Sequence, residues 1–368
     1  MDIFKYLNPT DDMKMEQGQI INNLSSKTWI ERYAEAGEFT LIANVESNIR
    51  SVLPIGTFIS HVNSTEIMIV EDHQISEERG SPADIVVTGR GLETIFSQRV
   101  VGSNKSFPTS TGVTDYVIPS NEFWDQAVYL LNHHLYPVYL TDDNDAIPYL
   151  EIMTTVPAGA TAAARSVKHG DLYSKLQEIL ADGSLGIQII RPGSFSISAD
   201  PDNVCVVIHK GVDRRNQVAF SHATGEIERA DYLWTKRKLK NAALIQGRWV
   251  ETRVVGTETG KDRRWMIVDA SDIDQALTEA PSGGTLTSIV SKMQQRGSAA
   301  LRAQKDIALT KAEVSKQSLK ARYREDYYLG DLISVEGNYN EDSVRRVTEY
   351  VEIEDKTGRV AYPTLSEP

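Results

Sequence analysis

The chain has 368 residues, 40% of them apolar and 24% charged, and a formal net charge of −12. That length exceeds one ordinary core and predicts roughly two to four domains of a folded protein. The acidic balance excludes a dedicated nucleic-acid binder, but it suits a wall that DNA passes without sticking.

No run of about 18 apolar residues occurs, so no membrane-spanning helix is expected. Residues 1–8 lack the basic start and apolar core of a secretory signal. The lone cysteine, Cys205, excludes a disulfide framework and a multi-cysteine metal site. It reads as a small buried hydrophobe in a chain folded in a reducing cytosol.

From about residue 20 to 100 the pattern is β. Thr28-Trp29-Ile30-Glu31-Arg32-Tyr33, Glu38-Phe39-Thr40-Leu41-Ile42-Ala43 and Asp84-Ile85-Val86-Val87-Thr88-Gly89-Arg90 alternate and end on turn residues. Their spacing predicts a small barrel or sandwich. Residues 101–117, rich in Ser, Thr, Gly and Asn, predict a long exposed loop.

A helix follows, with Ser120 as N-cap and Phe123, Ala127, Leu130, Leu131 and Leu135 on one face; it stops before Pro137. The alanine-rich stretch 158–164 fits helix or loop. A second helix starts near Asp171, carries Leu172, Leu176, Ile179 and Leu180, and closes at Asp182-Gly183. Strands over 186–190, 195–197 and 204–208 complete an α+β insert. Residues 211–282 return to β, through 216–220, 242–246, 248–255 and 263–268. Gly283-Gly284 opens a helix with Leu286, Ile289, Val290 and Met293 at helical spacing, running to Ala303. A polar strand-like stretch follows from Ile307.

One pattern occurs twice. Ile55-Gly56-Thr57-Phe58-Ile59-Ser60 and Leu329-Gly330-Asp331-Leu332-Ile333-Ser334 each open on an aliphatic-Gly pair and enter a β run. Each passes a polar turn (61–65 and 337–342) into a second alternating strand, 67–75 and 344–353. Both second strands end in charged residues, Glu77-Glu78-Arg79-Gly80 and Glu354-Asp355-Lys356-Thr357-Gly358. The glycines mark tight bends or close backbone approach at strand starts. Two similar β units in one chain point to an assembly with twice as many units as subunits.

Catalytic signatures are missing from the sequence. It contains no G-x-x-x-x-G-K-[ST], G-x-G-x-x-G, H-E-x-x-H or G-x-S-x-G. His61, His73, His133, His134, His169, His209 and His222 are scattered, and the adjacent His133 and His134 point to different sides of one helix. Asp142-Asp143-Asn144-Asp145 lacks the spacing of a calcium loop and reads as a solvated turn. Glu77-Glu78 and Glu354-Asp355 read as solvated hairpin tips, where nothing raises a pKa. Lys236-Arg237-Lys238-Leu239-Lys240 reads as a solvated turn or as a subunit-interface partner for acidic surface. No catalytic, cofactor-binding or metal residue is expected, and the chain is read as a non-enzyme.

Tyr323-Arg324-Glu325-Asp326-Tyr327-Tyr328-Leu329-Gly330-Asp331-Leu332-Ile333-Ser334-Val335 resembles the "DY-x-LGD-x-V-x-V" strand of phage tail-tip hub proteins. Arg346-Val347-Thr348-Glu349 and Asp355-Lys356-Thr357-Gly358-Arg359-Val360-Ala361-Tyr362-Pro363-Thr364-Leu365 resemble that family's closing hairpin. Trp29-Ile30-Glu31-Arg32-Tyr33, Phe39-Thr40-Leu41 and Gly89-Arg90-Gly91-Leu92 are similar to the first barrel of siphophage hubs, the group related to the N-terminal part of tail-associated lysins. The helix and strand of 171–186 resemble their middle domain.

The resemblance implies an α+β, mainly β fold with two tail-tube-like β-barrels. Residues 1–100 form the first barrel and 101–210 an α+β insert domain. Residues 211–282 form a β-rich domain, part of or packed on the second barrel, and 283–368 a helix and that barrel's closing strands. It further implies a homotrimer whose six barrels make a pseudo-six-fold ring capping the hexameric tail tube. The ring meets the tube or distal tail protein above and central tip or fibre proteins below, and DNA crosses its lumen without sequence-specific binding. The expected location is the virion tail tip, assembled in the host cytoplasm. No lysozyme-like or peptidase segment follows Pro368, which speaks against a lytic role. The alternative reading is a host-surface receptor or carbohydrate-binding tail protein using Trp234, Trp249 and Trp265.

Overall fold

A computed structural model describes residues 1–368 except 1, 7–16, 77–82, 103–114, 141–145, 148, 157–160, 163, 192–203, 222, 236, 238, 272, 275–276, 278, 303, 305–306, 315–319, 337–342 and 367–368. The expectations for Glu77-Glu78, Asp142–Asp145, the strand 195–197 and the turn 337–342 lie outside the described residues.

The N-terminal strands are β1 (Ile3–Tyr6), β2 (Gln17–Ile21), β3 (Ser26–Arg32), β4 (Glu38–Asn44), β5 (Phe58–His61), β6 (Met68–Ser76) and β7 (Asp84–Gly91), with the one-turn helix α1 (Ile49–Val52) before β5. On β4 and β7, Phe39, Leu41, Ala43, Ile85 and Val87 alternate with half-exposed residues and meet Trp29, Met68 and Val70 in one core. That period of two makes each strand half-buried.

The insert contains β8 (Asp115–Ile118), β9 (Asn121–Glu122), α2 (Phe123–Leu135), β10 (Leu150–Thr154), β11 (Thr161–Ala162), β12 (Arg165–Lys168), α3 (Leu172–Gly183), β13 (Gly186–Ile190) and β14 (Val204–His209). Ala127, Leu130, Leu131 and Leu135 of α2 pack against Leu172, Leu176, Ile179 and Leu180 of α3 over the β10-β14-β13 sheet. Asp171 caps α3, its carboxylate accepting from the amides of Tyr173 (2.9 Å) and Ser174 (3.2 Å). Two expectations are corrected. Glu122, not Ser120, is the N-cap of α2, because β9 takes the two residues before the helix. Residues 115–117, read as loop, belong to β8, which pairs with β12. Cys205 is buried on β14, as expected.

The remaining elements are β15 (Ala219–Ser221), β16 (Ile227–Thr235), β17 (Ala242–Gln246), β18 (Glu251–Val255), β19 (Trp265–Asp269), α4 (Gly283–Arg302), β20 (Ile307–Val314), β21 (Leu332–Glu336), β22 (Ser343–Asp355) and β23 (Gly358–Ser366). Ile289 and Met293 of α4 pack on Ala243 and Ile245 of the three-stranded β18-β17-β19 sheet. The opposite face of that sheet leaves Trp265 and Ile267 exposed.

An eleven-stranded sheet links the two ends of the sequence, in the order β15-β21-β22-β3-β4-β7-β6-β5-β1-β2, with β23 on the other edge of β22. The fold is mainly β, but among the described residues no barrel closes. The two expected barrels are instead two open units joined through this sheet, with β16 and β20 forming a separate two-stranded sheet. They cannot close separately because the edge strand of the first, β3, is paired with β22 of the second.

Candidate assembly site

The repeated pattern is a repeated structure. Gly56 and Gly330 have φ of +87° and +88°. Each is the third residue of a four-residue turn: Thr57 N–H donates to the Pro54 carbonyl (3.1 Å) and Asp331 N–H to the Tyr328 carbonyl (3.2 Å). A positive φ at that place is what a type II turn demands, and glycine meets it without strain. The Gly56 amide then donates to Val70 (2.8 Å) and Val70 donates back to Thr57 (2.9 Å). Gly330 and Val347 do the same, at 2.7 Å, and Val347 with Asp331 at 3.0 Å.

The registers agree as well. Phe58 pairs with Ile69 and Ile59 with Met68; Leu332 pairs with Arg346 and Ile333 with Arg345. The ladder to the next strand slips between Val70 and Asp72 in one copy and between Val347 and Glu349 in the other. A bulge at matching positions re-aims both strands in the same way.

Five strands correspond in order. β3-β4-β7-β6-β5 form the first unit. In the second, β16 pairs with β20, β20 lies beside β23, and β23 is followed by β22 and β21.

Where the units meet, β22 changes partner. Its residues 343–346 pair with β21, and 349–355 continue antiparallel along β3. The period of two puts Lys27, Trp29 and Glu31 of β3 on the face shared with Tyr350, Glu352 and Glu354 of β22. Lys27, with 0% exposure, donates to Glu352 (2.5 Å) and lies 3.2 Å from Glu354. Its ammonium also bonds His61 Nε2. Arg359 of β23 donates to the other oxygen of Glu352 at 2.6 Å. Arg324 forks onto Glu31 (2.9 and 3.0 Å), whose Oε2 also accepts from the Tyr323 hydroxyl at 2.7 Å. Beside them a cavity of about 440 Å³ is lined by Asn63, Tyr323, Arg324, Tyr350, Glu352 and Arg359 among others.

Burial pushes His61 down to about 4, helped by Lys27 and Arg359, so it is neutral at pH 7. Burial alone would raise Glu352, but the Lys27 and Arg359 cations hold it below the usual carboxylate range. Burial, then Glu31 and Glu93, pushes Glu66 well up, and burial brings Glu93 to about 7. Each of those two accepts a hydrogen bond, Glu66 from Gln188 (2.7 Å) and Glu93 from the Ile189 amide (2.6 Å), which ties the insert to the first unit.

His61, Glu352 and Glu354 place ligand atoms within 4.8 Å of one another. The Lys27 ammonium sits against all three, so the chain itself supplies the cation they face. Lys27, Arg324 and Arg359 thus balance Glu31, Glu352 and Glu354 along this seam.

A second clamp is Asp331, the acidic residue after Gly330. Buried, it accepts from Arg214 Nε (2.6 Å), the Val212 amide (2.7 Å) and the Tyr328 amide (2.9 Å). Its counterpart in the first copy is the uncharged Thr57. Glu354, expected to be a solvated tip, is instead held below its usual pKa, the pull of Lys27 outweighing burial. His133 lies between the Tyr129 and Tyr139 rings, whereas His134 is buried and accepts from the Gly102 amide at 3.0 Å. The adjacent pair therefore shares no ligand. The seam itself was missed: Lys27 and Glu31 share the parity of Trp29 and Tyr33, a legible sign of burial, but their partners lie some 300 residues away.

This architecture is that of phage tail proteins. The chain superposes over 100% of its length on a tail protein from Neisseria meningitidis MC58 (TM-score 0.57, 12% identity, 96% of that chain). It does the same on the 43 kDa tail protein of prophage MuSo2 from Shewanella oneidensis (0.57, 13%, 98%) and on prophage tail protein gp18 from Listeria monocytogenes EGD-e (0.58, 13%, 95%). The chain belongs to the Siphovirus ReqiPepy6 Gp37-like protein family, whose model matches residues 11–365. No curated protein matches the sequence.

Proposed function

We propose that this chain is the hub of a phage tail tip or baseplate, and that three copies close into a pseudo-six-fold ring capping the hexameric tail tube. The observation that carries this reading is the doubled unit: two copies of one strand arrangement lie side by side, joined edge to edge by β3 and β22, with the β16-β20 pair of the second copy forming its own two-stranded sheet beside β23. A chain with two such units is half-way between its own symmetry and that of a ring with twice as many units as subunits. In this reading each unit is a tube-like wall segment that becomes part of a barrel only in the assembly. The division into residues 1–100, 101–210, 211–282 and 283–368 belongs to the same proposal.

The ring would meet the tube or distal tail protein on one side and tip or fibre proteins on the other, in the virion. DNA would pass through without sequence-specific contact, which agrees with a net charge of −12. A structural rather than catalytic role is supported by the pairing of Lys27, Arg324 and Arg359 with Glu352, Glu354 and Glu31. The test is the native mass of the purified chain together with negative-stain images. A trimer of 41.0 kDa subunits forming rings is expected; a stable monomer at every concentration overturns the proposal.

A second reading, a host-surface or carbohydrate-binding tail protein, rests on the exposed Trp249 and Trp265. Binding of a glycan array by a monomer would favour it.

A further inference from the structure

We propose that the ring closes by strand addition between copies: β16 of one chain pairs antiparallel with residues 72–76 of β6 in the next, as β3 pairs with β22 inside one chain. This rests on the ring reading above and names the edges that make it.

The argument comes from the internal repeat. Residues 349–355 of β22, just past the bulge, carry β3 on the edge that β21 occupies earlier. The matching stretch of β6 starts at Asp72, again just past the bulge. There, among the described residues, β5 has ended at Ile69 and no other strand continues that edge. The Thr348 carbonyl, which accepts from the Tyr33 amide at 2.9 Å, corresponds to the Glu71 carbonyl. The β3 counterpart, β16, pairs only with β20 among the described residues, so its other edge is open too. Among the described residues, one chain thus offers one empty docking edge and one strand with an open edge, each with a filled counterpart in its other half.

Open edges of this length invite pairing with another chain. The two edges differ, so the contact is head-to-tail and generates a ring when its rotation closes. The surface fits such a contact. Ile75 is 44% exposed on this stretch and Ile55, in the turn before β5, 65% exposed. Asp72 is exposed on β6, and Arg237 is exposed two residues past the end of β16. In the filled counterpart Arg32, the last residue of β3, bonds Glu349 at 2.7 Å, the residue equivalent to Asp72. Arg237 thereby acquires a place beside the acidic end of this stretch at Asp72.

The test is disulfide trapping in the full chain, whose own Cys205 is buried. Gln74→Cys or Ile75→Cys is combined in turn with Tyr232→Cys, Leu233→Cys, Trp234→Cys and Thr235→Cys, which covers both faces of each strand. Under mild oxidation, at least one pair is expected to give covalent dimers and trimers on denaturing gels, and neither single variant should. If the protein has the native mass of a trimer yet no pair yields a covalent oligomer, strand addition is overturned and the ring reading stands. If the unmodified chain is monomeric, the ring reading falls, and this proposal with it.

Discussion

Gly56 and Gly330, 274 residues apart, hold the same backbone conformation and donate the same bond, one to Val70 and the other to Val347, each valine donating back to the residue after the glycine. Their surroundings differ. A Cβ on Gly56 would meet nothing within 4 Å, whereas one on Gly330 would lie 2.1 Å from the Tyr33 ring. Gly56→Ala should therefore cost only the left-handed backbone strain, about 1–2 kcal/mol. Gly330→Ala should cost more, about 3 kcal/mol or above, because Tyr33 is fixed by a bond to the Ser184 carbonyl. Urea denaturation of both variants checks this; equal losses would refute the steric part.

Lys27→Met should destabilise the fold by about 3 kcal/mol, since it removes the buried cation that Glu352 and Glu354 share and leaves Arg359 as the remaining cation on Glu352. Adding Glu352→Gln should recover part of the loss, because the seam then holds one carboxylate fewer than before. The double-mutant cycle is read from denaturation midpoints at constant slope. Strict additivity would rule out coupling between the two residues.

Asp331→Ala should cost about 2–4 kcal/mol, because three donors, one of them the Arg214 guanidinium, lose a buried acceptor together. Asp331→Asn should cost less, keeping one acceptor oxygen. Amide exchange is the discriminating readout: Val212 and Tyr328 should lose protection in Asp331→Ala, while the Asp171-capped helix α3 should not.

Two sets of buried groups should move stability in opposite directions between about pH 4 and pH 7. Burial holds His61, His134 and His209 near 4, against an ordinary 6.5. The unfolded chain takes up those protons first, so the histidine contribution is whole above pH 6.5 and drains away as the pH falls toward 4. Glu93, raised to about 7 from 4.5, acts oppositely: its contribution is whole below 4.5 and is lost as the pH rises through 7. Glu93→Gln should therefore raise the melting temperature at pH 8 relative to the parent and leave it nearly unchanged or lower at pH 5. A variant with an unaltered pH profile would show that Glu93 does not titrate in this range.

The repeat was legible because its turn needs a positive φ, and only glycine meets that need freely at 56 and 330. Helices α2, α3 and α4 were legible because their apolar spacing and the Asp171 cap are local. What stayed hidden was long-range. Nothing near Lys27 announces Glu352, and the two strands of the β16–β20 hairpin are separated by residues 236–306, so their pairing leaves no turn signal. Strand spacing suggested a small barrel or sandwich and the family resemblance two barrels, but closure depends on which edges meet. In this chain one edge of β3 pairs with β4 of its own unit, and the other meets β22 instead of closing that unit.

β22 is 13 residues long, about 43 Å at 3.3 Å per residue, and both units are laced onto it. Sliding one unit past the other along that axis loads the β3 ladder in shear, so its seven residue pairs resist together instead of peeling one at a time. The joint is therefore stiffest along the strand and softest to bending across it, which makes β22 a mechanical beam rather than a hinge.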